Sequence, residues 1–337
     1  MRQSEQGEQT GNPGIIDTLS AGFQTINRMP WIMAIPVCLD LLLWLGPRIT
    51  IRGIAERGLL SIASMLPAMT QASATSTDQA DQLQRYIDLV RGGLEFFNLL
   101  SLLLVSGSMM HSAVMPNRGG GAGTVELNSV ASAFGLSLIF ILVGIAIACL
   151  WFGAIAQQVR DGKVDFARLI RAAPRYWVTI VGFILLVIAL MIGVSIPLSF
   201  LSALLQVVAP TIGSFVTILL AIVLQLSVFW ALLYLFFFTD AVVVSEVGPI
   251  RAALNSMRVV TAHFWSALGL ILITWVIIAG MGVVWGSLSQ VPIGQAAAIV
   301  ANGYVESGLA AASLLFYSNR ISRVFGAPNH FNSTRQS

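Results

Sequence analysis

The sequence predicts an all-α, polytopic membrane bundle of six transmembrane helices, built as three repeats of an interfacial amphipathic helix plus a transmembrane hairpin. Three observations predict this fold class. Only 10% of the 337 residues are charged, whereas about 25% are charged in a soluble chain. Several apolar runs reach the roughly 20 residues that a bilayer-spanning helix needs. Basic residues also concentrate in alternate loops, as they do in membrane proteins with a defined orientation.

The six predicted spans are uninterrupted apolar runs. A transmembrane barrel would instead alternate apolar and polar residues over about 10 positions, and these runs show no such alternation. We therefore predict helices. The predicted spans are residues 30–46, 134–157, 176–206, 211–240, 264–288 and 294–318.

An internal pattern groups these spans into three units. Each unit has a glycine, an amphipathic lead-in stretch, a tryptophan and an apolar span that carries a second glycine. The tryptophan follows the first glycine by 17, 15 and 17 residues, and the second glycine follows the tryptophan by 15, 16 and 17 residues. We place each tryptophan at the membrane boundary, which indole rings prefer. The three sets are Gly14, Trp31 and Gly46; Gly162, Trp177 and Gly193; and Gly248, Trp265 and Gly282.

The lead-in stretches are amphipathic at helical spacing. In the second stretch, Leu169 and Ile170 lie opposite Arg168 and Arg171. Such helices lie in the membrane interface, with the basic face towards anionic headgroups. We also expect a kink at Pro174, just before the turn into the bilayer. The predicted partner is therefore a lipid bilayer with anionic headgroups at the basic lead-in helices.

The loop charges predict the orientation. Residues 158–176 hold five basic side chains and residues 245–263 hold two, whereas the alternate turns at 207–211 and 289–293 hold none. Because basic loops stay in the cytoplasm, we predict that the N- and C-termini are both cytoplasmic. The expected location is the plasma (cell inner) membrane.

The predicted domain is a single membrane body at 15–326, between cytoplasmic tails at 1–14 and 327–337. The N-terminal tail is expected to be disordered. An extracytoplasmic insertion at 47–133 separates the two spans of the first hairpin. Within it, the apolar stretch 96–114 has two interpretations. A seventh span would break the repeat and place the N-terminus outside, so we prefer a re-entrant or surface-lying helix.

Three polar residues inside predicted spans are candidates for a binding or transport site. Ionisable groups at membrane depth indicate function by default. Glu306 lies one turn after Asn302 in the last span, and Asp40 lies inside the first. The carboxyls would line a path for protons or a cation. Alternatively, Glu306 fixes packing with Asn302 or Gln225, and Asp40 reaches Arg48, outer-interface water or the neighbourhood of Glu306.

Other polar or kinking residues have simpler expected roles. Asp240, near the inner end of the fourth span, is expected to meet cytoplasmic water or Arg251. His111 is expected to be a satisfied polar group, and His263 an interfacial anchor. Pro197 is expected to kink or end the third span.

Enzymatic and cofactor signatures are absent from the sequence. There is no zinc-binding His-Glu-x-x-His, no Gly-x-Ser-x-Gly and no Cys-x-x-Cys. The run Gly119–Gly123 lacks the Lys-Ser/Thr of a phosphate-binding loop. Basic residues form no clustered face with aromatic readers for nucleic acid. We predict no catalytic residues, no metal, no cofactor and no nucleic-acid partner, and the sequence names no protein partner.

Residues 249–290 carry a combination of motifs: Ala253-Leu254-Asn255-Ser256, Val259-Val260, Phe264-Trp265, Gly269 and Gly282. This combination resembles an element of uncharacterised bacterial multi-pass membrane proteins, and it is similar to the membrane region attached to some glycerophosphodiester phosphodiesterases. The soluble phosphodiesterase barrel has no room in this chain, so the resemblance implies neither hydrolase activity nor functional residues.

Three functions are compatible with these features. The first is a non-enzymatic scaffold or lipid-associated accessory, which the repeat and the absence of catalytic clusters favour. The second is a small-solute or ion transporter or channel that uses the intramembrane carboxylates Glu306 and Asp40. The third is a lipid-modifying membrane enzyme that acts through residues 47–133. We favour the first.

Overall fold

A computed structural model shows an all-α bundle, in agreement with the predicted fold class. The predicted C-terminal tail and all but the last residue of the predicted N-terminal tail lie outside the described residues. The structure describes residues 14–72, 77–104, 111–114 and 121–324.

Helices account for most of these residues, and the two strands form one short parallel pair. The helices are α1 (Ile15–Arg28), α2 (Ala34–Leu45), α3 (Arg52–Ala72), α4 (Thr77–Phe96), α5 (Val130–Asp161), α6 (Phe166–Val208), α7 (Pro210–Tyr234), α8 (Phe238–Ser245), α9 (Pro249–Ala262), α10 (Phe264–Leu288) and α11 (Pro292–Val324). The 3-10 segments are Pro30–Met33 and Leu99–Leu103, and the strands are β1 (Arg48–Thr50) and β2 (Thr124–Glu126).

Five helical stretches among the described residues are long and apolar enough to cross a membrane: α5, α6, α7 with α8, α10 and α11. A sixth exists only if α1 and residues 30–45 count as one span, which bends by 96°. The protein is thus a multi-pass membrane protein. The first predicted span, 30–46, is too short by itself. The 12 residues of α2 extend about 18 Å at 1.5 Å per residue, against a hydrocarbon core of about 30 Å.

The three predicted units differ in their local structure. The first bends near Met29, and the third breaks at His263 between α9 and α10. In the second, the lead-in stretch and the span form one helix, α6, of 43 residues. Neither Pro174 nor Pro197 ends that helix. The threefold repeat stays a prediction, because the second unit lacks the turn that the pattern predicted near Trp177.

Helix α11 lies at the centre of the bundle and contacts α1, α2, α5, α8, α9 and α10. Small residues allow its closest contact. A Cβ atom on Gly22 of α1 would lie 2.6 Å from the Gly308 carbonyl oxygen and 2.8 Å from Ala312 Cβ. Small residues let backbones approach in this way inside membranes. The buried face of α1 carries Thr18, Gly22 and Ile26, whereas Ile16 is 77% exposed.

Helices α6 and α7 form the outermost hairpin of the described structure. The most apolar 18-residue stretch of α7 contains no buried residue. A soluble protein would not tolerate such a surface, whereas lipid covers it at no cost. At the tip of the hairpin, Gly213 packs directly on the backbone of Leu205 and Gln206. The exposed apolar length of this hairpin supports the assignment of α6 and α7 as membrane spans.

Residues 98–104 of the insertion between α2 and α5 pack against the bundle. The Asn98 side-chain oxygen accepts the N–H groups of Ile49 in β1 and Leu100, at 3.0 and 3.1 Å. The 3-10 segment that follows is buried against α5, where a Cβ on Gly144 would lie 2.4 Å from the Leu103 carbonyl oxygen. The described parts of 96–114 do not form the continuous helix that a seventh span needs. The re-entrant course stays a prediction.

Candidate functional site

The three residues predicted as a binding or transport site lie together. Asp40 is in the middle of α2, and Asn302 and Glu306 share one face of α11; their exposed fractions are 2%, 6% and 2%. The Asn302 side-chain nitrogen donates to Asp40 Oδ2 at 3.3 Å. Helical spacing alone puts residues 302 and 306 on one face, but only tertiary packing brings α2 to them. All three contact residues 111–114, here called the inserted segment.

Both carboxyls accept hydrogen bonds from the inserted segment. Glu306 Oε1 accepts the backbone N–H of His111. Asp40 Oδ1 accepts the Ser112 hydroxyl at 2.7 Å, and Asp40 Oδ2 accepts the Ala113 N–H at 3.1 Å. The two acids therefore act as acceptors for a stretch of chain that is not helical.

Side-chain amides satisfy the carbonyl groups of the same segment. Asn302 donates to the His111 carbonyl at 2.7 Å, and Gln295 donates to the Ala113 carbonyl at 3.2 Å. The indole N–H of Trp285 donates to the Asn302 oxygen at 3.1 Å and so fixes the orientation of this amide. We call these side chains the polar cluster. It consists of Asp40, Trp285, Gln295, Asn302 and Glu306.

The polar cluster accounts for non-helical backbone inside the bundle. An unpaired buried N–H or C=O costs about 1–3 kcal/mol, and irregular backbone at membrane depth occurs only where protein or water satisfies it. Here the cluster satisfies both backbone groups of His111 and of Ala113. Ala113 is buried, whereas His111 and Ser112 are exposed on the described structure. The cluster therefore lies inside the bundle, and part of the inserted segment that it holds lies at the surface.

Two alternatives from the sequence are wrong. Gln225, considered as a partner of Glu306, is exposed on the outer hairpin. Asp40 is almost completely buried and is hydrogen-bonded within the cluster, so it does not reach water at the outer interface. Hydropathy could not reveal either point, because it does not show which helix faces are paired.

Asp240 also differs from its prediction. It is 3% exposed and accepts a hydrogen bond from the Ser313 hydroxyl of α11, so it meets neither water nor Arg251. The cause is that α8 packs against α11. Arg320, in the last turns of α11, is 1% exposed and lies 3.5 Å above the Phe316 ring. The only sequence signal for this contact is the four-residue spacing to Phe316 on one helix face.

Basic residues from two separate loops meet at one end of the bundle, here called the basic end. It comprises the α5–α6 turn, the end of α8, α9 and the last turns of α11. Glu246 joins its parts: its carboxylate lies 3.1 Å from Arg160 and 3.4 Å from Arg168, and its carbonyl accepts from Arg175 at 2.7 Å. Glu246 adopts a left-handed conformation, with φ of 51°. The predicted basic loops 158–176 and 245–263 are therefore neighbours.

The electrostatic environment of His263 shows an excess of positive charge at this end. Burial lowers the pKa of the His263 imidazole, and the charges of Arg320 and Arg323 lower it further. The imidazole Nδ1 is buried without a hydrogen-bond partner among the described residues. The neighbouring Trp265 is 80% exposed, as expected for an interfacial aromatic residue.

Within the described ranges, no three His, Cys, Asp or Glu side chains are placed to hold a metal ion. The polar cluster contains two carboxyls, and the remainder of its donors and acceptors are amide, indole and backbone groups. The contacts that these groups make in the described structure are hydrogen bonds.

Comparison with known proteins gives a family but no activity. A family model described as a domain of unknown function, DUF7847, matches residues 51–322. No curated protein and no solved structure matches the chain. The resemblance of 249–290 to the membrane region of some glycerophosphodiester phosphodiesterases thus stays a prediction. Because the match covers most of the chain, from α3 almost to the end of α11, this protein belongs to the DUF7847 family.

Proposed function

We propose that this protein is a non-enzymatic, lipid-associated accessory or scaffold of the plasma membrane, whose basic end binds anionic headgroups of the cytoplasmic leaflet. The observation that carries this proposal is the meeting of the two basic loops around Glu246. Each basic side chain near an anionic leaflet contributes about 1 kcal/mol of attraction. The two loops together hold seven basic and three acidic side chains, so the surface that combines them keeps an excess of positive charge and should prefer anionic lipid.

Helix α9 supports this proposal, because it exposes basic and apolar side chains together. Arg251 and Arg258 are exposed, and Ile250 and Met257 are 64% and 42% exposed. The opposite face, which includes Val259, is buried against the bundle. A helix with this distribution suits the boundary between headgroups and acyl chains.

The orientation can be tested by cysteine labelling in a background without Cys38 and Cys149. Single cysteines at positions 168 and 258 should react with a membrane-impermeant maleimide only from the cytoplasmic side. A cysteine at Ser129, which precedes α5, is the matched control and should react only from the opposite side. Labelling of position 168 or 258 from outside would contradict the proposal.

Lipid preference can be tested in membranes excised directly with a styrene–maleic acid polymer. Lipid extracted with the wild-type protein should be enriched in anionic phospholipid relative to the whole membrane. The charge-depleted variant Arg168→Gln with Arg171→Gln should reduce that enrichment. The proposal would be contradicted if the lipid extracted with the wild-type protein had the same composition as the whole membrane.

A second candidate function is supported by the polar cluster. Two buried carboxyls hold a non-helical segment near the middle of α11, and transporters often place their binding sites at interrupted helices near the bilayer midplane. We propose, as the alternative, that Asp40, Asn302 and Glu306 form a path for a proton or a small cation. No observation among the described residues favours the lipid-modifying enzyme.

Proteoliposome flux separates the two functions. A transporter should move protons or a monovalent cation down an imposed gradient, and Glu306→Gln should abolish that flux while the protein remains folded. Asp88→Asn, in the exposed part of α4, is the control and should have no effect. The alternative fails if the wild-type protein shows no flux or if Glu306→Gln leaves the flux unchanged.

A further inference from the structure

A cavity of about 630 Å³ lies at the basic end, between the end of α8, α9 and the last turns of α11. Arg251, Asn255 and Arg258 line one wall from a single face of α9. Ser245 and Ser322 line it from α8 and α11. The volume falls in the range of about 300–1,000 Å³ that small-molecule sites occupy. The cavity is therefore large enough for a lipid headgroup.

The lining is positively charged. Among the described residues that form it there are two arginines and no acid. An anion that entered the cavity would thus meet two cationic side chains among the described residues that line it.

The lining also offers two kinds of contact to one ligand. The guanidinium groups of Arg251 and Arg258 present forked N–H donors that suit the oxygens of a phosphate group. Beside them, Val247, Leu254 and Ile321 form an apolar wall. Leu254 is 45% exposed, so this wall continues onto the outer surface of α9. A ligand with a charged phosphate next to an apolar part fits this arrangement.

We propose that this cavity binds the phosphate group of an anionic phospholipid headgroup, with Arg251 and Arg258 as its principal contacts. The assignment rests on the proposed function, which puts the basic end at an anionic leaflet. The group that the cavity would recognise is a phosphate, which a lipid headgroup or a soluble phosphate could supply. The apolar wall favours the lipid, because its glycerol and acyl carbons would lie against Leu254.

Native mass spectrometry of the protein in neutral detergent tests the proposal. The wild-type chain should bind phosphatidylglycerol more tightly than phosphatidylcholine. The variant Arg251→Gln with Arg258→Gln should lose about fivefold in affinity for each arginine, as expected for one basic contact to an anionic headgroup. Arg251→Lys keeps the charge but not the forked donor and should give an intermediate loss.

The matched control is Arg52→Gln with Arg85→Gln, which removes the same charge from exposed positions on α3 and α4, outside the basic end. This variant should retain the wild-type affinity in detergent within about twofold. Equal losses in the two double variants would show that net charge alone matters and would overturn the proposal. Equal binding of the two lipids by the wild-type protein would also overturn it.

Two further arms identify the source of the phosphate and separate the cavity from the proposed function. Displacement of the lipid by millimolar inorganic phosphate would assign the cavity to phosphate itself, and retention of the lipid would assign it to the headgroup. Either result supports a phosphate site. Cavity-dependent binding in detergent without enrichment of anionic lipid in excised membranes would contradict the proposed function and leave the site intact.

Discussion

Replacing Asp40 with alanine tests whether the polar cluster holds the inserted segment. The carboxylate accepts the Ser112 hydroxyl, the Ala113 N–H and the Asn302 amide. Alanine removes both acceptor oxygens and leaves the three donors in place. Ser112 is exposed and can turn to another acceptor, but the donors of Ala113 and Asn302 are buried.

The cost follows from these two buried donors. An unsatisfied buried donor costs about 1–3 kcal/mol, so Asp40→Ala should lower the free energy of unfolding by about 3–4 kcal/mol. Asp40→Asn keeps one acceptor oxygen and should lose about half of that amount. Asp88→Ala is the control: Asp88 is exposed and pairs with Arg91 at 3.4 Å, and such surface pairs contribute less than about 1 kcal/mol.

Thermal unfolding in detergent measures the effect, with a fluorogenic maleimide as the probe. Cys149 is 1% exposed and reacts only on unfolding, whereas the exposed Cys38 is replaced by serine in every variant. At about 2 °C of Tm per kcal/mol for a chain of this size, Asp40→Ala should lower Tm by about 6–8 °C. The control should shift Tm by no more than about 2 °C.

Equal and small Tm shifts for Asp40→Ala and Asp88→Ala would refute this reasoning. They would mean that the inserted segment obtains its hydrogen bonds elsewhere. A large shift for both would show that any loss of an acid destabilises the chain, and it would remove the argument for a specific cluster.

Three further predictions concern packing and charge. Gly22→Ala should lower Tm, because the new methyl group would collide with the α11 backbone and overpacking costs about 1–3 kcal/mol. Gly182→Ala is the control: a Cβ atom there would have no neighbouring atom within 4 Å, so Tm should stay unchanged or rise. Glu246→Gln should lower Tm at low ionic strength and have little effect in 1 M salt, because the arginines around Glu246 are partly exposed and salt screens such ion pairs. Equal Tm shifts at both salt concentrations would contradict this prediction. The folded-state pKa of His263 is lowered, so the unfolded chain binds the proton more readily. The stability contributed by neutral His263 should be fully present above about pH 6.5 and should be lost as the pH drops from there towards the folded-state pKa. A Tm series from pH 7.5 to 5 should show this loss, and His263→Gln should reduce it.

Much of the fold was predictable, because hydropathy and loop charge act along the chain. The spans predicted at 134–157 and 264–288 lie within α5 and α10, and the first of these helices ends at Gly162, which has the left-handed conformation of a C-cap (φ 68°). These features depend on residues close together in sequence. The second predicted unit was less accurate, because a proline such as Pro174 permits a kink in a helix without imposing one.

The sequence alone determined that this chain is an α-helical, multi-pass membrane protein and which short segments are basic. It also identified Asp40, Asn302 and Glu306 as polar groups inside apolar runs. Hydropathy could not show which helix is central, because lipid is as apolar as a protein core. The α7 stretch, with mean hydropathy 2.5, is 0% buried, whereas that of α11, with mean hydropathy 1.3, is 72% buried.

Only the tertiary structure decided which distant residues meet. The hydrogen bond between Asp40 and Asn302 joins residues 262 positions apart, and the one between Asp40 and Ser112 spans 72 positions. The cavity at the basic end likewise combines residues of α8, α9 and α11. Helical periodicity describes one helix about its own axis, whereas these contacts depend on how glycines such as Gly22 and Gly308 let separate helices approach.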